Sequence, residues 1–367
     1  MYSLQYKFVT GFALLGLALA HAAHAAAGKT LDIYFIDVEG GQSTLLITPQ
    51  RESLLIDTGY AGTGAPNAKP GDPNHSRDAR RIVAAARDAG LTQIDYVLIT
   101  HFHPDHEGGV VELSQLMPIR HFIDHGTLSV EAQKDPGLNE SFLAYLAVRD
   151  RVPHFEPRPG DGLPIAGIDA TVVSSAASTI TKPLAGAGEA NASCGQSAVP
   201  AGDPNENPRS TGVVVRYGKF RFLDLGDLTG QPLFDLVCPK SLIGPVDVYL
   251  VAHHGGPDAG DPATFASFTP RVAIMNNGMK KGGALATYET MHHVPGLEDV
   301  WQLHRSEAAG QANFAADHIA NLDESSAHWI KLSAGEDGSF RVTNQRTGES
   351  KIYPARSPHA HAPADRP

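Results

Sequence analysis

A run of metal-binding side chains, His101-Phe-His103-Pro-Asp105-His106, constrains this chain more than any other feature of its sequence. It directly follows residues 96–100, whose apolar character predicts a buried strand. Neutral imidazole and carboxylate are ligands that suit zinc, manganese or iron. A chance cluster on a solvated loop is the alternative, because the chain contains 18 histidines, but the tight spacing after a strand favours a metal site. Alternate positions of an extended turn point the same way, so we expect His101 and His103 to share one ion, while Asp105 and His106 turn to a second.

Two later apolar segments also end in polar residues that can bind metal. Residues 219–225 precede Gly226-Asp227, and residues 246–252 precede His253-His254-Gly255-Gly256. The ends of rigid strands are common places for a site, because they fix the loops that carry reactive groups. We therefore expect these segments to meet the first cluster at one centre.

The remaining patterns predict one large globular domain or two fused small ones, as 367 residues with 42% hydrophobic content allow. Short β-branched or aliphatic runs predict an N-terminal strand meander, and residues 76–89 have helical spacing of their apolar positions. Residues 174–209 predict a long surface loop, and alternating runs after residue 328 predict further strands. The predicted meander strands are 31–38, 44–48 and 53–57.

The first 27 residues have the parts of a secretory signal, with Lys7 in a polar start, an apolar stretch over 8–20 and Ala-His-Ala repeats. The alternative is a membrane anchor, but the stretch is shorter than the roughly 20 residues that span a bilayer. We therefore expect cleavage near 25–27, a periplasmic or secreted protein, and no membrane span after cleavage.

Charge and cysteine content limit the partners and the cross-links. The formal net charge of −11 becomes −12 once Lys7 leaves with the signal, so tight binding to long nucleic acid is not expected, although a local basic groove stays open. Cys194 and Cys238 could form a disulfide in an oxidising compartment or remain two separate buried thiols. The oligomeric state is left open.

The histidine run resembles the signature of the metallo-β-lactamase superfamily, His-x-His-x-Asp-His after a buried strand. Further motifs resemble, in the same order, those of the hydrolase domain in the DNA-uptake protein ComEC and its free-standing relatives. The resemblance covers residues 30–301. Its motifs are FIDVEGGQS at 35–43, LIDTG at 55–59, LGD at 225–227 and AHHGG at 252–256.

The resemblance implies an α+β fold, a four-layer αββα sandwich with the metals in a cleft between two sheets. The hydrolase domain would cover 28–305, followed by a β-rich extension or small β-appendage over 306–354 and a disordered tail over 355–367. The implied cofactors are two divalent metal ions, with zinc expected and manganese or iron as alternatives.

The resemblance also suggests roles for single residues. Asp227 would bridge both metals, with an ordinary turn aspartate as the alternative. Either His253 or His254 would complete a metal shell, and we prefer His254, because adjacent strand residues point to opposite faces unless the strand has ended. Asp57 would orient a ligating imidazole, or else form a turn with Thr58-Gly59.

One departure from the superfamily pattern concerns a further metal-binding histidine that lactamases and lactonases usually place before the bridging aspartate. Residues 207–212 contain none, which fits the ComEC-like branch better. His125, at another predicted strand end, could fill the gap, or it could be an ordinary loop histidine.

These features predict an exported metal-dependent hydrolase that uses a metal-bound hydroxide, with Asp105 and Asp227 fixing the nucleophile. The expected partner is a small-molecule or phosphodiester substrate. One alternative is a lactone, β-lactam or other acyl hydrolase. Another is a non-catalytic metal- or ligand-binding protein with the same fold.

Overall fold

Two β-sheets packed face to face form the centre of the protein. The computed structural model describes residues 29–64, 68–71, 75–196, 206–258 and 260–356. The predicted signal peptide lies outside these residues, as does most of the predicted tail.

The first sheet has nine strands in the order β17-β16-β15-β1-β2-β3-β4-β5-β6. Strands β3, β4, β5 and β6 run parallel, so their carboxyl ends meet at one edge. The strands are β1 Leu31–Phe35, β2 Thr44–Ile47, β3 Ser53–Ile56, β4 Ile94–Leu98, β5 Ile119–Ile123, β6 His154–Phe155, β15 Ile330–Ala334, β16 Phe340–Asn344 and β17 Ser350–Tyr353.

The second sheet has eight strands in the order β14-β13-β12-β11-β10-β9-β7-β8. Strands β10 to β14 run parallel, and β9 pairs antiparallel with β10. The strands are β7 Asp169–Ser175, β8 Ser178–Thr179, β9 Gly212–Tyr217, β10 Phe220–Asp224, β11 Val248–Leu250, β12 Val272–Met275, β13 Asp299–His304 and β14 Ile319–Asn321.

Alternation of side chains along the strands explains the layers. In β10, Phe220 and Phe222 point into the core between the sheets, whereas Leu223 joins a second cluster under the outer helices. In β1, Ile33 enters the same central core, and Tyr34 lies on the opposite face. Both faces of each sheet are therefore covered, as the parallel strands require.

Helices cover the outer faces of the two sheets. Helix α1 buries Ile82 and Val83 against the first sheet, as the helical spacing over 76–89 predicts. The predicted four-layer αββα sandwich is thereby confirmed. The helices are α1 Arg77–Asp88, α2 Pro104–Glu107, α3 Val110–Leu116, α4 Pro136–Arg149, α5 Gly230–Val237, α6 Pro262–Phe268 and α7 Leu285–Met291.

The C-terminal residues do form the predicted strands, and these strands extend the sandwich instead of packing apart from it. Strand β15 pairs antiparallel with β1, and β14 joins the second sheet beside β13. Ile330 and Leu332 of β15 lie in the core between the sheets. The domain boundary predicted at residue 305 stays a prediction, and residues from both sides of it contribute to the same core.

A disulfide joins Cys194 to Cys238, and this resolves the choice that the sequence left open. It ties the segment before residue 197 to the end of α5. None of the helices among the described residues reaches the length and apolarity that crossing a bilayer requires.

Candidate metal centre

Loops that follow β4, β10 and β11 meet at the edge where the parallel strands of both sheets end. The loop after β4 carries the histidine run, the loop after β10 carries Asp227, and the loop after β11 carries His253 and His254. The sheets face each other across the central core, so loops distant in the sequence converge here.

Four buried residues place one ligand atom each within 4.8 Å of one another: Asp105, His106, Asp227 and His254. The Nε2 atom of His106 lies 3.1 Å from Asp227 Oδ2 and 3.3 Å from Asp105 Oδ2. The Nε2 atom of His254 lies 3.2 Å and 3.1 Å from the same two oxygens. Two imidazoles thus converge on two carboxylates.

The same Asp227 oxygen also faces a second pair of imidazoles. Its Oδ2 lies 3.9 Å from His101 Nε2 and 3.9 Å from His253 Nε2. His101 Nε2 lies 2.9 Å from Nδ1 of His103. Four of the predicted histidines therefore face the Asp227 carboxylate, and His103 joins them through its contact with His101.

The preference for His254 over His253 stays a prediction, and the geometry brings both residues to the centre. Both rings face Asp227, because β11 ends at Leu250 and both residues adopt left-handed backbone conformations, with φ of 50° and 53°. Strand alternation, on which the preference rested, does not apply beyond the end of the strand.

The donor atoms of this group fit a metal. Among the described residues, four of its buried atoms have no hydrogen-bond partner of acceptable geometry: His106 Nε2, Asp227 Oδ1, and both ring nitrogens of His254. Buried polar atoms normally find partners, so several orphans in one place point to a missing ligand. Imidazole nitrogen and carboxylate oxygen are suitable donors for zinc and for related divalent ions.

The electrostatics of the group favour a positive charge at its centre. Burial and the neighbouring imidazoles hold the pKa of His101 well below its usual range, so this ring is neutral and free to ligate. Burial opposes the charge on Asp227, but the rings of His106 and His254 outweigh it and hold the pKa of that carboxyl well below its usual range. Burial likewise opposes a charge on His106, yet Asp227 and Asp105 raise the pKa of His106 well above its usual range.

Asp57 contacts the His106 ring from outside the group, which is the contact that the first of our two interpretations requires. Its Oδ2 lies 2.7 Å from His106 Nδ1, and Thr100 donates to its carboxylate from both the backbone nitrogen and the hydroxyl at 2.7 Å. Because Nδ1 faces the carboxylate, the Nε2 atom of the same ring is left for the centre.

His125 does not fill the place of the missing histidine. Its Nε2 lies 3.0 Å from Glu206 Oε2, and its ring packs on Phe102 at 4.4 Å between centroids. Glu206 also accepts hydrogen bonds from the backbone nitrogens of Phe102 and Ser129. His125 therefore belongs to a buried layer outside the ligand group, by which we mean the predicted ligands around Asp227.

Two residues that the sequence analysis did not select hold His253. The Asp258 carboxylate lies 2.7 Å from Nδ1 of His253, and the Asn207 amide nitrogen lies 3.3 Å from its Nε2. Asn207 comes from the segment in which the superfamily pattern would place a histidine. The short spacing from His253 to Asp258 was the one signal in the sequence that pointed to this pair.

The sequence analysis also missed Lys281 and Tyr60. The Lys281 ammonium contacts Asp105 Oδ2 and donates to the Tyr60 hydroxyl at 3.0 Å. Among the described residues, no other lysine or arginine forms an ion pair with the ligand group. No local motif marks Lys281, because it meets Asp105 from a loop 176 residues away.

Residues 37–179 match a family model described as the metallo-beta-lactamase superfamily. The atrochrysone carboxyl ACP thioesterase of Aspergillus terreus is 36% identical over 78 residues, which are 21% of this chain and 20% of that protein. The alignment therefore spans about a fifth of this curated relative.

Two solved structures resemble the fold at low sequence identity. A mutant of the CmlA beta-hydroxylase matches with a TM-score of 0.43 and 15% identity, over 81% of this chain and 59% of that one. A diphosphatase from the PhnP family matches with a TM-score of 0.39 and 12% identity, over 74% of this chain and 94% of that one. The family-model match over residues 37–179 agrees with the predicted superfamily, whereas the ComEC-like branch stays a prediction.

Proposed function

We infer from the match of residues 37–179 to the metallo-beta-lactamase superfamily, and from the centre described above, that this chain is a metal-dependent hydrolase of phosphodiester-type substrates. The observation that carries the proposal is the position of Asp227 Oδ2, which lies between 3.1 and 3.9 Å from the Nε2 atoms of four histidines. A carboxylate with imidazoles on two sides is suited to bridge two ions.

We assign the ligands in two sets that share Asp227. One set adds Asp105, His106 and His254, which lie together within 4.8 Å. The other adds His101, His103 and His253. In this assignment His253 supplies the imidazole that the segment 207–212 lacks, and Asp258 orients its ring.

When bound, two divalent ions supply an acidified water and positive charge that stabilises a developing oxyanion. The residues of the chain fix where this chemistry takes place. Asp105 and Asp227 limit the positions that an attacking water can adopt, and Asp57 keeps Nε2 of His106 directed to the centre. The ion identity, which we expect to be zinc, belongs to the same proposal.

Lys281 supports an anionic substrate over a neutral one. Its ammonium lies beside Asp105 and Tyr60 at the centre, and its side chain is 40% exposed. A phosphodiester keeps a negative charge at neutral pH, so a cation next to the reacting group would stabilise both the bound substrate and the transition state.

Acyl-group hydrolysis is the second candidate. It is favoured by the short similarity to the thioesterase, which covers a fifth of that protein. Export to the periplasm or the medium is a separate proposal that depends on the signal pattern in residues 1–27. The ComEC-like branch is proposed from the order of the motifs and from the absent histidine.

The test begins with metal content per chain and turnover of bis-p-nitrophenyl phosphate, an acyl thioester and a lactone. We expect two ions per chain and phosphodiester turnover that Asp227→Ala abolishes. Turnover of only the acyl substrates would replace the first candidate by the second. Bound metal without any turnover would support a non-catalytic binding protein instead.

A lysine pair tests the choice of substrate. Lys281→Met should weaken phosphodiester turnover by about tenfold or more, because a charge-assisted hydrogen bond contributes about 1.5 to 3 kcal/mol. Lys280→Met is the control, since Lys280 is 65% exposed and pairs only weakly with Glu324 at 3.4 Å. Equal effects of both substitutions on charged and neutral substrates would contradict the role of Lys281.

A further inference from the structure

Gln42 lies in the loop after β1 and connects this loop to the loop that carries Asp105. It is 1% exposed. Its backbone nitrogen donates to the Asp105 carbonyl oxygen at 3.1 Å, and its carbonyl oxygen accepts from the nitrogen of Gly59 at 3.0 Å. The backbone of Gln42 is thus held by two loops that follow strands of the first sheet.

The Gln42 side chain crosses to the other sheet. Its amide nitrogen donates to both carboxylate oxygens of Asp224, at 3.0 and 3.1 Å, and its amide oxygen accepts from Asn276 Nδ2 at 3.2 Å. Asp224 in turn accepts the backbone nitrogen of Gly226 at 3.0 Å. Gly226, with φ of 56°, forms the turn that presents Asp227.

This chain of hydrogen bonds has a fixed direction. The Asp224 carboxylate acts as an acceptor here, because both of its oxygens face the Gln42 amide nitrogen and Oδ1 also accepts from the Gly226 nitrogen. That leaves the amide oxygen for Asn276, which must offer its nitrogen. Reversing any one member opposes two donors or two acceptors, and buried mismatches of this kind are costly.

We propose that Gln42 is a positioning residue that sets the distance between the Asp105 and Asp227 carboxylates. Its backbone holds the loop of Asp105, and its side chain holds the turn of Asp227 through Asp224. Asn276 donates to the remaining oxygen of the amide. This inference rests on the proposed function, in which the two carboxylates hold a pair of metal ions.

The first test compares two buried glutamines. Gln42→Met keeps the length of the side chain and removes its hydrogen bonds. Gln302→Met is the matched control, because Gln302 is 0% exposed and bonds to the His304 carbonyl, Asn313 and the Phe314 nitrogen, none of which is in the ligand group.

Mn²⁺ is titrated into metal-free protein. Calorimetry measures the affinity for each ion, and electron paramagnetic resonance detects the signal of a coupled manganese pair. We expect Gln42→Met to lower the affinity for the second ion by about tenfold to a hundredfold, and to weaken the coupled signal. Gln302→Met should bind both ions as the wild type does. Wild-type affinity and coupling in Gln42→Met would overturn the proposal.

A second test reverses the direction of the chain of hydrogen bonds. Asp224→Asn turns one of the two acceptors that face the Gln42 amide nitrogen into a donor and should weaken the binding of the ion pair. Adding Asn276→Asp lets the Gln42 amide turn over, so the double variant should recover at least half of the lost affinity. A double variant no better than Asp224→Asn would overturn the proposal.

These outcomes separate the two levels of inference. If the wild type binds no metal, the proposed function fails and the role of Gln42 fails with it. If the wild type binds two ions and Gln42→Met binds them equally well, only the role of Gln42 fails. Thermal melts of every metal-free variant identify any loss of binding that follows from unfolding.

Discussion

Asp57→Asn should prevent His106 from presenting the correct nitrogen to a metal while leaving the fold intact. In the wild type, Oδ2 of Asp57 accepts from the Thr100 hydroxyl and faces His106 Nδ1, both at 2.7 Å. Its Oδ1 accepts the Thr100 backbone nitrogen. An asparagine keeps that last bond through its oxygen, so its amide nitrogen must face His106.

The amide nitrogen donates, which forces Nδ1 of His106 to accept and moves the ring proton to Nε2. That Nε2 atom lies 3.1 Å from Asp227 and 3.3 Å from Asp105, so the wrong tautomer is stabilised by the same carboxylates that should share a metal with it. Loss of such an orienting partner lowers metal affinity by about tenfold to a hundredfold. This corresponds to about 1.4 to 2.7 kcal/mol.

The assay is a competitive Zn²⁺ titration of metal-free protein against a chelating dye. Asp95→Asn is the control, because the Asp95 carboxylate also accepts a backbone nitrogen and a hydroxyl, both from Ser53, but lies away from the centre. Binding by Asp57→Asn within twofold of the wild type would refute the reasoning. An equal loss in Asp95→Asn would show that the effect is not specific to His106.

Three further outcomes follow from the structure. His125→Ala should lower stability but leave the number of bound ions unchanged, because its ring pairs with Glu206 outside the ligand group; metal analysis and a denaturant titration check both parts. Removing the disulfide with Cys194→Ser and Cys238→Ser should lower the free energy of unfolding by up to about 4 kcal/mol, because the bond closes a loop with a sequence separation of 44 residues and so restricts the unfolded chain. A decrease of less than about 0.5 kcal/mol in a urea titration would contradict this. Removing metal with a chelator should lower the melting temperature. Adding Zn²⁺ at a hundred times its dissociation constant should then raise the free energy of unfolding by about 2.7 kcal/mol. An unchanged melting temperature after chelation would argue against a resident metal.

The position of the candidate ligands in the histidine run was predictable because the signal is local. An apolar strand ends at Leu98, and the metal-binding side chains follow within a few residues. The same reasoning located Asp227 after β10. Apolar runs likewise predicted several strands of both sheets, among them β1, β4, β10 and β11, because strands that are buried on both faces consist largely of apolar residues.

The residues around the ligands were not predictable in the same way, because long-range contacts define them. Gln42 meets Asp224 across 182 residues and Asn276 across 234. Lys281 reaches Asp105 from a loop without any metal-binding pattern. A single sequence shows which loops carry polar groups, but it does not show which loops touch once two sheets have packed together.

The conformation of His253 and His254 could not be read from strand periodicity either, and it is the part of the centre with the clearest backbone strain. A left-handed non-glycine residue costs about 1 to 2 kcal/mol. Here two of them occur in succession, and the backbone is fixed by His253 donating to the Gly226 carbonyl and by Gly283 donating to that of His254. Strain of this kind persists where the surrounding structure enforces it, which is common at functional sites.

A pair of substitutions at His253 separates this strain from metal binding. Both His253→Ala and His253→Gly remove the imidazole, so both should lose affinity for one ion to the same extent. Only glycine relieves the left-handed conformation, so the metal-free glycine variant should be more stable than the alanine variant by about 1 kcal/mol in a urea titration. If alanine is as stable as glycine, the backbone is not strained at this position. If either variant keeps two ions at wild-type affinity, His253 is not a ligand, and Asn207 or a water must occupy its place.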